Sequence, residues 1–83
     1  MNYKLVILGS GESGTGAALL AHKMGISVFV SEKNSIAEKY KLELAQRNIP
    51  FEEGGHTEEI VLNAAEIVKS PGIQHKVDMI QKA

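Results

Sequence analysis

Leu5-Val6-Ile7-Leu8 runs without a polar break into Gly9-Ser10-Gly11-Glu12-Ser13-Gly14, and an alanine-rich stretch over residues 17–24 follows. An unbroken apolar tetrad is the pattern of a strand buried on both faces, so the spacing predicts a central strand, a tight turn and a helix start. Each glycine has its own task in such a turn. Gly9 permits the sharp exit from the strand, Gly11 lets the backbone approach a diphosphate, and Gly14 lets helix and strand pack closely. The helix start then offers unpaired N–H groups and the positive end of its dipole to an anion. Glu12 is the odd residue, because an inward carboxylate would repel a phosphate; it is expected to face solvent, with Ser13 supplying the polar contact. The plainer alternative is a turn in a sheet protein that holds no ligand.

A nucleotide-hydrolysing loop is excluded at this position. Such a loop needs Lys and then Ser or Thr directly after its last glycine, whereas Thr15-Gly16 follows Gly14, and no GK[ST] occurs anywhere in the chain. The balance of charge narrows the partners further. Ten acidic against nine basic residues, a net charge of -1, and no basic tract argue against a nucleic-acid or anionic-membrane surface. The absence of cysteine rules out a disulfide scaffold and a thiolate metal site and fits a reducing cytosol. MNYKLVIL is too short for a signal peptide, and no apolar run approaches the ~20 residues of a membrane span. At 83 residues the chain is read as one domain, residues 1–83. A domain of that size buries only about 60% of its unfolded surface and is marginal when it folds alone.

Strands and helices alternate along the rest of the chain. Gly25 ends the first helix, and Ser27-Val28-Phe29-Val30-Ser31 reads as a second strand with Glu32 at its carboxyl end. Ser35 and Glu38 have the spacing of a capping box, with Ala37, Tyr40 and Leu44 on one face of a helix running to about Arg47. Ile49-Pro50-Phe51-Glu52 reads as a short third strand, whose proline and neighbouring glutamates suit a sheet edge. Thr57 is then a helix cap before the small apolar face of Ile60, Val61 and Ala64. Ile67-Val68-Lys69 is a fourth strand, closed by Ser70-Pro71-Gly72, and residues 77–83 form a weak last helix. The βαβαβαβα order, with right-handed crossovers, predicts an α/β fold. Its parallel sheet has the order 3-2-1-4, with helices on both faces.

In such a sheet a ligand lies beyond the carboxyl ends of the strands where their order reverses, here between the first and fourth strands. The glycine loop and Ser70-Pro71-Gly72 flank that point. The latter is either a plain strand-ending turn or a second ligand loop, its proline fixing the backbone and its glycine allowing close approach. Glu32 lies 18 residues beyond Gly14, near the spacing at which a carboxylate takes a ribose hydroxyl, so NAD is the first ligand suggested. The competing reading is a solvated acid paired with Lys33. His22, His56 and His75 form no site; His56 reads as decorating a turn, and no metal-ligand spacing or Ser/His/Asp constellation supports catalysis.

VILGSGESGTGAALLA, VFVSEK, FEEGGHTEE and above all IVKSPGI resemble the N-terminal domain of the Mur ligase family, and the resemblance covers nearly the whole chain. GxGxSG near the start with SPGI about 60 residues later is the specific combination. The likeness is greatest to the members that add D-glutamate to UDP-N-acetylmuramoyl-L-alanine in peptidoglycan synthesis. It implies a Rossmann-like domain that holds the UDP part of the substrate. The ATP loop, the magnesium ligands and a modified lysine belong to a central domain, and a third domain closes over the site. It also implies that ATP phosphorylates the alanyl carboxylate and that the amine of D-glutamate attacks the acyl phosphate.

Carried onto this sequence, Gly9, Gly11, Glu12, Ser13 and Gly14 belong to the diphosphate loop. Glu32 and Lys33 fall at the uracil-contacting strand end, where the family often has Asp then Thr, and Ser70, Pro71 and Gly72 lie beside the uridine. The resemblance thus points to an excised UDP-binding domain of a cytoplasmic cell-wall ligase, monomeric, with no cofactor or metal of its own and inert without its missing domains. Two alternatives are a regulatory NAD-binding module of a transporter or channel and a structural domain whose pocket is lost without its neighbours.

Overall fold

The computed structural model describes residues 2–69. The elements run β1 (Leu5–Leu8), α1 (Glu12–Lys23), β2 (Val28–Glu32), α2 (Glu38–Gln46), β3 (Phe51–Glu53), α3 (Glu58–Leu62) and β4 (Glu66–Lys69). The strands pair in parallel in the order β3-β2-β1-β4, giving the Rossmann-like α/β sheet expected from the alternation. Ser70, Pro71 and Gly72 and the helix expected over residues 77–83 lie outside the described residues.

Register sets which side chains share a face. Ile7 stands between Val30 of β2 and Val68 of β4, and this row faces α1. Ala17, Ala18 and Ala21 meet it, and because alanine carries only a methyl group the helix axis can come close to the sheet. Leu44 of α2 and Ile49 complete that core. Val6 and Phe29 point to the opposite face and are buried as well, with the Tyr3 ring against Phe29 at a centroid distance of 5.1 Å. Burial on both faces is what the apolar tetrad implied. α1 packs on β1 and β2 and touches α2, so these two helices share one face; the right-handed rule for parallel crossovers assigns α3, on the connection that runs back across the sheet, to the other.

Two of the helix ends are closed by the same device. After α1, Gly25 has φ +81°, its N–H donates to the His22 carbonyl at 3.0 Å and the Ile26 N–H donates to the Ala21 carbonyl at 3.0 Å. After α2 the position falls to Asn48, with φ +58°, while the Ile49 N–H donates to the Leu44 carbonyl at 2.9 Å. Both are Schellman closures, and asparagine is the side chain that best tolerates this conformation after glycine. Leu44 and Ile49 are both core residues, so the closure also joins the end of α2 to the entry of β3.

The start of α2 differs from expectation. Ser35 and Glu38 make no capping box; the N-cap is Ala37, with no side-chain cap, and residues 33–37 form a non-helical loop. The reason is a distant carboxylate. Glu53 accepts the Ile36 N–H at 2.8 Å and pairs with Lys41 Nζ at 2.7 Å, which holds the segment against β3 until the helix begins two residues later than a cap at Ser35 would start it. Ile36 is buried by the same arrangement. Thr57 does occupy the N-cap of α3, but its hydroxyl donates to Glu52 instead of accepting from the helix. A charged acceptor makes the stronger bond and wins over the cap.

Candidate functional site

The turn out of β1 is built as its glycines imply. Gly9 has φ +126°, a conformation that disfavours any other residue, and its N–H donates to the Ser31 carbonyl at 2.9 Å. A Cβ on Gly14 would stand 2.1 Å from the Gly9 carbonyl oxygen, so at this point helix and loop meet backbone to backbone. Gly11, the N-cap of α1, is open: a Cβ there meets nothing within 4 Å. No side chain caps α1, and Thr15 is the first residue whose N–H reaches back, to the Gly11 carbonyl at 2.9 Å. The N–H groups of Glu12, Ser13 and Gly14 therefore have no acceptor within the helix. Glu12 and Ser13 are exposed, as expected of the first.

Ser10, between the glycines, is buried and has every polar group engaged. Its N–H and hydroxyl both donate to Glu32 Oε1, at 2.8 and 2.9 Å, and its carbonyl accepts the hydroxyl of buried Thr15 at 3.0 Å. Glu32 uses its other oxygen, Oε2, to accept the Asn34 N–H at 2.8 Å. One carboxylate thus ties the glycine loop to the loop after β2. The Asn34 N–H foremost, and then Ser10 and nearby His56, hold this carboxyl below its ordinary value against the opposing effect of burial. Its partners are these backbone and hydroxyl donors and not the adjacent Lys33, which is exposed.

Between the two loops opens a cleft of about 290 Å³. Ser10 and Gly11 form its β1 side and Glu32 its strand end, while Asn34, Ser35, Ala37 and Tyr40 form the far side. Its size is at the small end for a ligand site, enough for a ring with a few polar substituents. Glu12 lies in a neighbouring groove with Lys39, Tyr40 and Glu43, away from this cleft. Of the expected site residues, Gly9, Gly11, Glu12, Ser13, Gly14, Glu32 and Lys33 all gather at the carboxyl ends of β1 and β2. Beside β1, β4 ends at Lys69, in register with Leu8, and the expected second loop at Ser70, Pro71 and Gly72 lies outside the described residues. Ser10, Thr15, Asn34 and Tyr40 escaped the sequence reading. A hydroxyl between two glycines was the available signal for Ser10, while Tyr40 read only as part of a helix face.

His56 does more than decorate a turn. Its Nδ1 bonds the hydroxyl of fully buried Ser31, and that hydroxyl donates to Glu52 Oε2 at 2.8 Å. Since the serine has a single proton, Nδ1 is the donor of the first bond. Glu52 also accepts the Thr57 N–H and hydroxyl, and the Gly54 and Gly55 N–H groups donate to the carbonyls of Asn34 and Glu32. The loop after β3 is thereby fastened to the loop that walls the cleft. Among the described residues no three His, Asp or Glu side chains are placed to hold a metal, and no helix is long and apolar enough to cross a membrane.

Three glutamates thus fasten these loops, and their titration has a sign. For Glu52, desolvation is the largest influence and pushes the carboxyl upward, but the Thr57 and Ser31 bonds together outweigh it and leave it below 4.5. Glu53 is held below 4.5 first by Lys41 and then by the Ile36 N–H. With Glu32 also depressed, the unfolded chain binds protons before the folded one as pH falls, so stability is full above pH 4.5 and declines below it. The urea midpoint should hold near neutrality and fall through that acid range, and Glu32→Gln should remove part of the fall. A midpoint unchanged at about pH 3 would show that these bonds form equally well with neutral carboxyls.

Residues 4–79 match the protein family described as the MurD N-terminal domain. The whole chain is 55% identical to a UDP-N-acetylmuramoylalanine–D-glutamate ligase of Porphyromonas gingivalis, covering 100% of this chain and 18% of that protein. It is 52% identical over 79 residues to the ligase of the same name from Bacteroides thetaiotaomicron, 95% of this chain and 18% of that one. Against the Chlorobaculum tepidum ligase the identity is 40% over 76 residues, 92% of this chain and 16% of the relative. The chain spans less than a fifth of the length of these relatives. With family match, parallel sheet and glycine loop in agreement, the chain belongs to the MurD N-terminal domain family.

Proposed function

We propose that this chain is the uridine-nucleotide-binding part of a cytoplasmic ligase that joins D-glutamate to UDP-N-acetylmuramoyl-L-alanine with ATP. The observation that carries it is the uncapped start of α1, with three N–H groups lacking helical acceptors, beside a ring-sized cleft at the carboxyl ends of β1 and β2. The backbone of Gly9, Gly11, Glu12, Ser13 and Gly14 takes the diphosphate, where N–H groups and the helix dipole favour negative charge. The uracil end lies toward Glu32 and Lys33, and Ser70, Pro71 and Gly72 complete the site. The names of the relatives support the substrate, and their greater length supports further domains beyond these 83 residues.

ATP and magnesium do not fit the residues present. The chain has no GK[ST] segment, and its described residues bring no metal-ligand cluster together. Phosphorylation of the alanyl carboxylate and attack by the D-glutamate amine belong to the remaining domains, and this chain alone is inert. Its task is to hold the nucleotide handle so that the peptide end reaches them.

Backbone amide shifts followed during titration with UDP, UDP-N-acetylmuramoyl-L-alanine and NADH test this. Shifts at residues 11–14 with both uridine compounds are the expected result. Shifts with NADH alone would instead indicate a dinucleotide-binding regulatory module, and none with any ligand a structural domain.

A further inference from the structure

Glu32 falls where a ligand-contacting acid was expected, yet three of its acceptor positions are filled from within the chain. A carboxylate offers about four, so little of its capacity is left for a ligand. Most of what it holds is the glycine loop. Ser10 has two donors on Oε1 and sits directly between Gly9 and Gly11, the residue at which α1 begins. On the other side of Ser10 its carbonyl is held by Thr15, one turn into α1. The loop is therefore clamped between β2 and α1 at one buried residue, and the direction of the N–H groups at 11–14 depends on that clamp. Without Glu32, the Ser10 N–H is a buried donor with no acceptor, which the loop can relieve only by moving.

We propose that Glu32 is a positioning residue for the diphosphate: through Ser10 it fixes the glycine loop so that the N–H groups at the start of α1 converge on phosphate oxygens. The inference rests on the uridine-nucleotide reading above and adds to it. Glu32 acts on the phosphates at one remove, whatever it also does at the base. What matters is an oxygen acceptor facing Ser10, not the negative charge, which itself opposes phosphate binding.

Inorganic pyrophosphate and uridine separate the two roles, because each carries only one end of the nucleotide. Amide-shift titrations of the 83-residue chain should give a pyrophosphate affinity about tenfold weaker in Glu32→Ala than in the wild type. Glu32→Gln keeps a carbonyl oxygen for both Ser10 donors and should restore pyrophosphate binding to within about threefold. A general loosening of the fold would not be rescued in this way. If Glu32→Ala leaves pyrophosphate affinity unchanged, or if the Gln variant is as weak as the Ala variant, the positioning role is overturned while nucleotide binding stands.

Should Glu32→Ala fail to fold, Ser10→Ala, which deletes one of the two loop bonds, should weaken pyrophosphate about threefold. Unchanged pyrophosphate affinity in that variant overturns the role equally. A wild-type chain that binds neither pyrophosphate nor uridine overturns the nucleotide reading and the positioning role with it.

Discussion

Gly14→Ala is expected to lower the melting temperature by roughly 12 °C or more, taking ~3 kcal/mol of destabilisation at ~4 °C per kcal/mol for a domain of this size. The added methyl would lie 2.1 Å from the Gly9 carbonyl oxygen and 2.8 Å from its carbonyl carbon, both backbone atoms with no rotamer to change. To make room, α1 must lift from the sheet or the loop must shift. Lifting α1 disturbs the packing of Ala17, Ala18 and Ala21 against Ile7 and Val30; shifting the loop breaks the Gly9 and Ser10 bonds to β2. Alanine gains up to about 1 kcal/mol in helix propensity, which does not offset a clash of this kind. At ~0.05–0.15 kcal/mol per residue the whole domain has only roughly 4–12 kcal/mol to lose. Thermal unfolding followed by circular dichroism checks this, and a wild-type melting temperature with wild-type UDP binding would refute the close contact.

Gly11→Val should behave in the opposite way, folding normally while losing nucleotide binding. Its φ of -67° and ψ of -168° suit any residue, and a Cβ there meets no atom within 4 Å, so stability should change by no more than about 1 kcal/mol. That open space is the approach to the N–H groups at the start of α1. A branched side chain would occupy it, and UDP affinity should fall at least about tenfold. Undiminished UDP binding in a folded Gly11→Val chain would show that the glycine loop is not the phosphate cradle. Together the two variants separate the glycine that packs from the glycine that leaves room, three residues apart in one loop.

Much of this loop could be read before any coordinates. Leu5 to Gly14 carry their structure locally: an apolar tetrad with no polar break forms a buried strand, and Gly9 takes its positive φ within the turn. The end of α1 at Gly25 is local for the same reason, and strand order followed from alternation and handed crossovers. The glutamates were the opposite case. Glu52 and Glu53 read as edge charges, yet Glu52 gathers Ser31 and Thr57, and Glu53 takes the Ile36 N–H and Lys41. Ser35 with Glu38 had the spacing of a cap and lost it to Glu53, a carboxylate 17 residues from the N–H it binds. Spacing rules count only acceptors a few residues away, so they could not see it.

Elements, their order and the place of the glycine loop thus follow from residue pattern, because apolar periodicity and glycine conformations act over a few residues. Which donor each carboxylate binds was decided by the sheet. Parallel pairing sets Leu8 beside Ser31 and Ser31 beside Glu52, and so brings Ser10 to Glu32 across 22 residues and Ser31 to Glu52 across 21. A hydrogen bond forms only when its atoms lie within a few tenths of an ångström of the right separation. Strand register controls that separation, and register exists only once the strands have met.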